Sequence, residues 1–145
     1  MQVSHILREK GREVVAIAES ARLEEAARLL AQKRIGALVV RGREGALAGI
    51  LSERDLVRAI SIEGAGALGR SVGAYMTREV ATCCEEDSVD ALMEMMTQGR
   101  FRHIPVVNGA RALLGIVSIG DIVKSRIEET VREAESLREY ISAAG

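Results

Sequence analysis

Two stretches of the chain set a serine and an aspartate three residues apart behind a glycine: Gly49-Ile50-Leu51-Ser52-Glu53-Arg54-Asp55 and Gly115-Ile116-Val117-Ser118-Ile119-Gly120-Asp121. Serine followed three residues later by an acid is the capping-box pattern, in which hydroxyl and carboxylate each satisfy a backbone N–H at a helix start. The same groups can also serve a ligand. A helix N-terminus with free N–H groups and a hydroxyl suits an anion. A carboxylate in the first turn can accept two hydrogen bonds from the diol of a ribose. A glycine inside an apolar strand permits close approach by a ligand or by another backbone. Together these groups describe a nucleotide cradle; met once, the pattern reads first as a plain strand-to-helix join.

The pattern is met twice. An offset of 66 aligns residues 13–57 with 79–123 without a gap, and thirteen aligned positions are identical. They include Glu13/Glu79, Arg34/Arg100, Gly49/Gly115, Ser52/Ser118, Asp55/Asp121 and Val57/Val123. Self-similarity at a fixed period marks an internal duplication.

Each copy reads strand, helix, strand, strand, helix. The apolar runs VVAI (14–17) and VATC (80–83) predict a first strand. Leu23, Ala26, Ala27, Leu30 and Ala31 recur at helical spacing, as do Val89, Leu92, Met93 and Met96. Ser20 is placed to cap the first of these helices, and Asp87 or Ser88 the second. ALVV (37–40) and ALAGIL (46–51) around RGREG predict two further strands, matched by HIPVV (103–107) and ALLGIV (112–117) around NGAR. A unit of about 60 residues is marginal alone, so the two copies should bury their sheet faces against each other about a pseudo-twofold axis. The expected architecture is α+β: a first domain at 1–61, a glycine-rich linker at 62–74, a second domain at 75–125 and an amphipathic helix at 126–145. SVGAYMT (71–77) echoes the N-terminal VSHIL as the lead-in to a copy. Beyond Asp121, Val123, Ile127, Val131, Ala134, Leu137 and Ile141 continue at three- and four-residue spacing. That stripe fits packing on its own domain, or a dimer or partner contact.

Composition removes several function classes. A net charge of −1 and 2% aromatics give no basic stripe and no stacking platform for nucleic acid. No apolar run approaches the roughly 18–20 residues that cross a bilayer, and charge stands where a signal peptide would be apolar. A cytoplasmic protein is expected. Cys83 and Cys84 are adjacent and lack a CxxC partner, which reads as reduced strand thiols rather than a metal site, with a redox function as the alternative. There is no metal-ligand spacing, no Ser/His/Asp order with local context and no Walker-type loop, so no enzyme is expected.

With its repeat length, element order and motifs, the chain resembles a tandem pair of cystathionine-β-synthase-type (CBS) domains, the pair being called a Bateman module. GILSERD, GIVSIGD, RFRHIPVV (100–107) and YMT (75–77) carry the resemblance over nearly all of the chain. It implies a non-enzymatic regulatory module that takes adenosine-containing ligands (AMP, ADP or ATP, with NAD or S-adenosylmethionine as further members) in clefts between the copies. It implies pairing into a homodimer and action on another protein in trans. No cofactor is required; the adenine nucleotide is the regulatory ligand. A scaffold that has lost its ligand and docks a partner through the terminal helix is the alternative.

Residue by residue, the resemblance gives Asp55 and Asp121 to ribose and Ser52 and Ser118 to phosphate. Thr82 offers a hydroxyl, and His103, Ile104 and Pro105 offer backbone groups and an apolar wall to adenine. Their counterparts Ala16, Ala37, Leu38 and Val39 carry fewer polar handles. Arg54, where the second copy has Gly120, is a phosphate candidate for its own cleft or the other, and Arg100 and Arg102 could bring positive charge to the second. These arginines are also readable as solvated charges, and His103 reads as a strand residue rather than a catalytic base.

Overall fold

Continuous apolar runs build each copy around a strand pair, and the two pairs share one register. The computed structural model describes residues 1–144. In chain order its elements are α1 (Val3–Lys10), β1 (Ala16–Ala18), α2 (Leu23–Lys33), β2 (Ala37–Arg41), β3 (Leu47–Ser52), α3 (Glu53–Glu63), α4 (Val72–Tyr75), α5 (Val89–Gly99), β4 (His103–Val107), β5 (Leu113–Ser118) and α6 (Ile119–Ala144). The antiparallel pair β2–β3 sets Ala37 against Ser52, and β4–β5 sets His103 against Ser118, the same pairing 66 residues on. Each pair is broken by a register shift at the same place, Val40/Arg41 and Val106/Val107. The α+β class and the paired modules follow the expectation.

One expected strand is nearly absent. β1 runs parallel to β2 over three residues, and Val39 N–H donates to the Val15 carbonyl at 3.2 Å. In the second copy only Cys83 bridges, to Val106. The position equivalent to Val39 is Pro105, which has no N–H to give to Ala81, so the ladder keeps only the bonds Cys83→Pro105 carbonyl (3.0 Å) and Val107→Cys83 carbonyl (2.9 Å). Residues 80–82 form no strand where VATC predicts one.

The lead-ins are exchanged between copies. α1 buries Val3, Ile6 and Leu7 in the core of the second copy, with Leu92, Ile104, Val106 and Val117. Ala67, Val72 and Met76 from the linker region complete the core of the first, with Leu23, Leu38, Val40 and Leu51. The bonds match pairwise: Val3 N–H donates to Asp87 and Ser4 to Glu85, as Val72 donates to Ala21 and Gly73 to Glu19. This arrangement also decides a cap. Ser88 accepts from Ala91 N–H at α5 as expected, but α2 begins after Arg22, and the free Leu23 N–H donates to the Arg70 carbonyl instead of to Ser20.

On the face of β2–β3 away from the helices, Ala37, Val39 and Ile50 are buried as well. Gly36, just before β2, lies under the His103 ring of the other copy, where an added Cβ would stand 3.3 Å from Cε1. This is where the two copies meet and where the cleft opens.

Candidate functional site

Both Ser-x-x-Asp motifs fold as caps. Ser52 Oγ accepts from Asp55 N–H at 3.3 Å, and Asp55 Oδ2 accepts from Ser52 N–H at 2.9 Å and from its hydroxyl at 3.1 Å. Ser118 Oγ accepts from Asp121 N–H at 3.2 Å, and Asp121 Oδ2 accepts from Ser118 N–H at 2.8 Å. The two helix starts are tied to the preceding loops alike: Glu53 N–H donates to the Gly36 carbonyl, and Ile119 N–H to the Arg102 carbonyl.

The surroundings of the two motifs differ. A cleft of about 690 Å³ lies between the copies, with Ser52, Glu53, Arg54, Asp55 and Arg58 on one wall. Val80, Ala81, the 99–103 segment and Ser118–Gly120 face them. That volume lies within the roughly 300–1,000 Å³ of small-molecule sites. Asp55 is 6% exposed, with Oδ1 3.3 Å from Arg58 Nη2. Arg54 reaches across the copies to donate to the Arg100 carbonyl at 3.2 Å. Among the described residues Arg54, Arg100 and Arg102 form no salt bridge, although Glu53, Asp55 and Glu79 line the same cleft.

At the second motif the carboxylate is occupied. Lys10 Nζ donates to Asp121 Oδ2 at 2.7 Å and to the Ile116 carbonyl at 2.9 Å. Burial would raise the Asp121 carboxyl, but the Lys10 ammonium and the Ser118 hydrogen bonds outweigh it and hold the group below its ordinary range. Burial pushes the His103 imidazole down, and the charge of Lys10 adds to that, so the ring is neutral at neutral pH. A neutral ring with a free nitrogen can accept or donate one hydrogen bond to a ligand.

Of the residues singled out from sequence, Ser52, Arg54, Asp55, Arg100, Arg102, His103 and Ser118 line the cleft. Asp121, Thr82, Ala16 and Pro105 do not. Leu38 and Ile104 are fully buried in the two helix-side cores, because strand alternation turns them away from their neighbours on the cleft side. They cannot wall an adenine. Arg58, Phe101, Val80 and Ala81 line the cleft without having been singled out. Arg58 was within reach, since it lies one helical turn after Arg54; Phe101 had no signal beyond standing next to Arg100.

The glycines of the motifs face protein. A Cβ on Gly49 would strike the Thr77 carbonyl oxygen, whose residue is laddered to Ile50 by bonds of 3.0 and 2.8 Å. A Cβ on Gly115 would stand 2.7 Å from Leu7 Cδ2. Close approach is needed, and the lead-in segments are what approach.

Cys83 is buried, and burial pushes its thiol up to about 12, with the Asp87 charge adding; Cys84 is exposed. No helix among the described residues is long and apolar enough to cross a membrane, and no group of three or more His, Cys, Asp or Glu is placed to hold a metal.

Comparison with known proteins agrees with the duplication. The CBS domain family model matches residues 3–62 and again 72–128. A mitochondrial CBS domain-containing protein of Arabidopsis thaliana is 40% identical over 121 residues; the match takes in 81% of this chain and 58% of that protein, so the chain spans little more than half of that relative. A CBS-domain containing protein of Agrobacterium tumefaciens superposes with a TM-score of 0.84 at 46% identity, covering 86% of this chain and 92% of that one. A CBS domain protein of Pyrobaculum aerophilum solved in complex with AMP superposes with a TM-score of 0.75 at 29% identity, covering 83% and 89%. With two copies matched over most of its length, the chain belongs to the CBS domain family as a tandem pair.

Proposed function

We propose that this chain is a regulatory module, not an enzyme, that binds an adenosine-containing nucleotide in the cleft headed by Ser52-Glu53-Arg54-Asp55 and acts on another protein as a cytoplasmic homodimer. The observation that carries the reading is the pairing, at one cleft, of a capped helix start with three arginines that have no carboxylate partner. Asp55 Oδ1 has only Arg58 beside it and retains lone pairs for a ribose diol. Arg54, Arg100 and Arg102 supply the charge for phosphate. Val80, Ala81 and His103 offer an apolar edge and polar backbone to the base. The AMP complex of the Pyrobaculum relative supports the ligand class. No cofactor is called for; the nucleotide is the signal. Regulation needs the ligand to favour one of two states of the module or its complex.

A thermal-shift screen with AMP, ADP, ATP, NAD and S-adenosylmethionine at millimolar concentration tests this. A ligand at 100 times its Kd stabilises the fold by about 2.7 kcal/mol, which moves the midpoint several degrees in a chain of this size. Asp55→Ala should abolish the shift. A midpoint unmoved by all five ligands would refute the reading.

A further inference from the structure

The asymmetry between the two motifs lies in what occupies their carboxylates. Asp55 and Asp121 are equivalent by the repeat and are capped by the same bonds. Asp55 faces the open cleft and is paired only with Arg58 of its own helix, at 3.3 Å. Asp121 lies outside that cleft and holds Lys10 Nζ at 2.7 Å. The same ammonium donates to the Ile116 carbonyl. In the first copy the equivalent carbonyl, Ile50, takes the backbone N–H of Thr77 instead. Lys10 therefore spans a backbone acceptor and the motif aspartate, which no residue does in the first copy.

Position explains how the lysine gets there. Lys10 closes α1, whose Val3, Ile6 and Leu7 are anchored in the second core, and Leu7 lies on Gly115. The exchange of lead-ins thus delivers a cation from α1 to the second motif. The Lys10 ammonium donates to Asp121 Oδ2, the oxygen that also caps α6, at 2.7 Å, and so sets a full positive charge beside the carboxylate a ribose would need. The second motif also has Gly120 where the first has Arg54, so it brings no guanidinium of its own to hold a phosphate.

We propose that Lys10 is a built-in occupant of the second motif, which closes that site to nucleotide and leaves the module with one nucleotide per chain, at Ser52–Asp55. The proposal rests on the nucleotide reading of the first cleft. Lys10 sets which of the two duplicated sites is used.

Isothermal titration of the full chain with AMP decides it. The wild type should take one AMP per chain. Lys10→Ala should take two, the added site at least tenfold tighter than any residual second binding in the wild type. Lys10→Arg, which keeps charge and reach, should stay at one. Lys10→Ala combined with Asp55→Ala should retain one, now at the second motif. Circular dichroism and the melting midpoint confirm folding, since Lys10 packs no side chain into the core. Two sites in the wild type, or one site in Lys10→Ala alongside one in the wild type, would overturn the occupant role while leaving the nucleotide reading intact. AMP heats absent from the wild type and every variant would overturn both.

Discussion

The Ser-x-x-Asp pairs are caps, and in the proposed function they are ligand groups as well. A carboxylate has about four acceptor positions; the cap takes those on Oδ2, which leaves Oδ1 of Asp55 towards the cleft. The glycine of each motif is a different matter. It reads as room for a ligand, yet Gly49 is filled by the Thr77 backbone and Gly115 by the Leu7 side chain. This sets up a contrast between two identical substitutions. Gly49→Ala forces a Cβ into a laddered carbonyl that cannot yield without breaking the Ile50–Thr77 pair, so it should cost about 3 kcal/mol, at the upper end of overpacking. Gly115→Ala meets the end of a leucine that can change rotamer, and should cost about 1 kcal/mol. Guanidinium unfolding midpoints compare them; equal losses would mean that the two lead-ins pack alike. The motif residues were legible from the repeat because identity at a fixed offset needs no structure. What fills the space above each glycine was not, since the filler comes from more than 25 residues away in sequence.

At the scale of elements, local pattern predicts local structure well and fails where a distant residue holds the missing bond. The strand pairs, α2, α5 and the Ser88 cap follow from apolar runs around turn residues, helical spacing and a side-chain oxygen in the right place. The strand expected at 80–83 fails because its partner position is Pro105, and the Ser20 cap fails because the linker carbonyl of Arg70 takes the N–H first. The proline leaves the Ala81 carbonyl unladdered at the rim of the cleft, where a base amine could use it. Pro105→Val restores an N–H at the position where Val39 donates to Val15. The new bond contributes about 1 kcal/mol, and loss of proline rigidity in the unfolded chain offsets most of it. Overall stability should therefore move by less than about 1 kcal/mol. Hydrogen exchange should instead find the introduced amide protected, with residues 81–84 gaining protection, and AMP affinity should fall as the carbonyl is consumed. An introduced amide exchanging at the solvent rate would show that Ala81 is not its partner.

At the scale of the whole molecule, α6 carries the longest apolar stripe that a single chain leaves uncovered among the described residues. From Thr130 onward every described residue of α6 is exposed, and Leu137 and Ile141 are 60% and 62% accessible. The buried residues of this helix, Ile122 and Ser125, lie on the opposite side from the stripe of Val123, Ile127, Val131 and Ala134. A projecting helical segment of about 15 residues is marginal in water alone, so its sequence asks for a partner. A second copy fits by charge. With Ile127, Ala134 and Ile141 at the first core position of a heptad and Thr130 and Leu137 at the second, Glu133 flanks one edge and Arg138 the other. In a parallel pair Glu133 of each chain meets Arg138 of its mate, while an antiparallel pair forfeits that match. The pair closes about a twofold axis, as a homodimer should. Light scattering should give a dimer for the wild type. Leu137→Lys with Ile141→Lys removes four apolar side chains from the assembled interface, each worth about 1.5–3 kcal/mol when buried. That should weaken association by roughly a thousandfold or more. Because neither residue touches a core of the module, the melting midpoint extrapolated to low concentration and the AMP stoichiometry should not change. A variant still dimeric at micromolar concentration would place the contact elsewhere, on the face of α3 where Val57 and Ile60 are exposed.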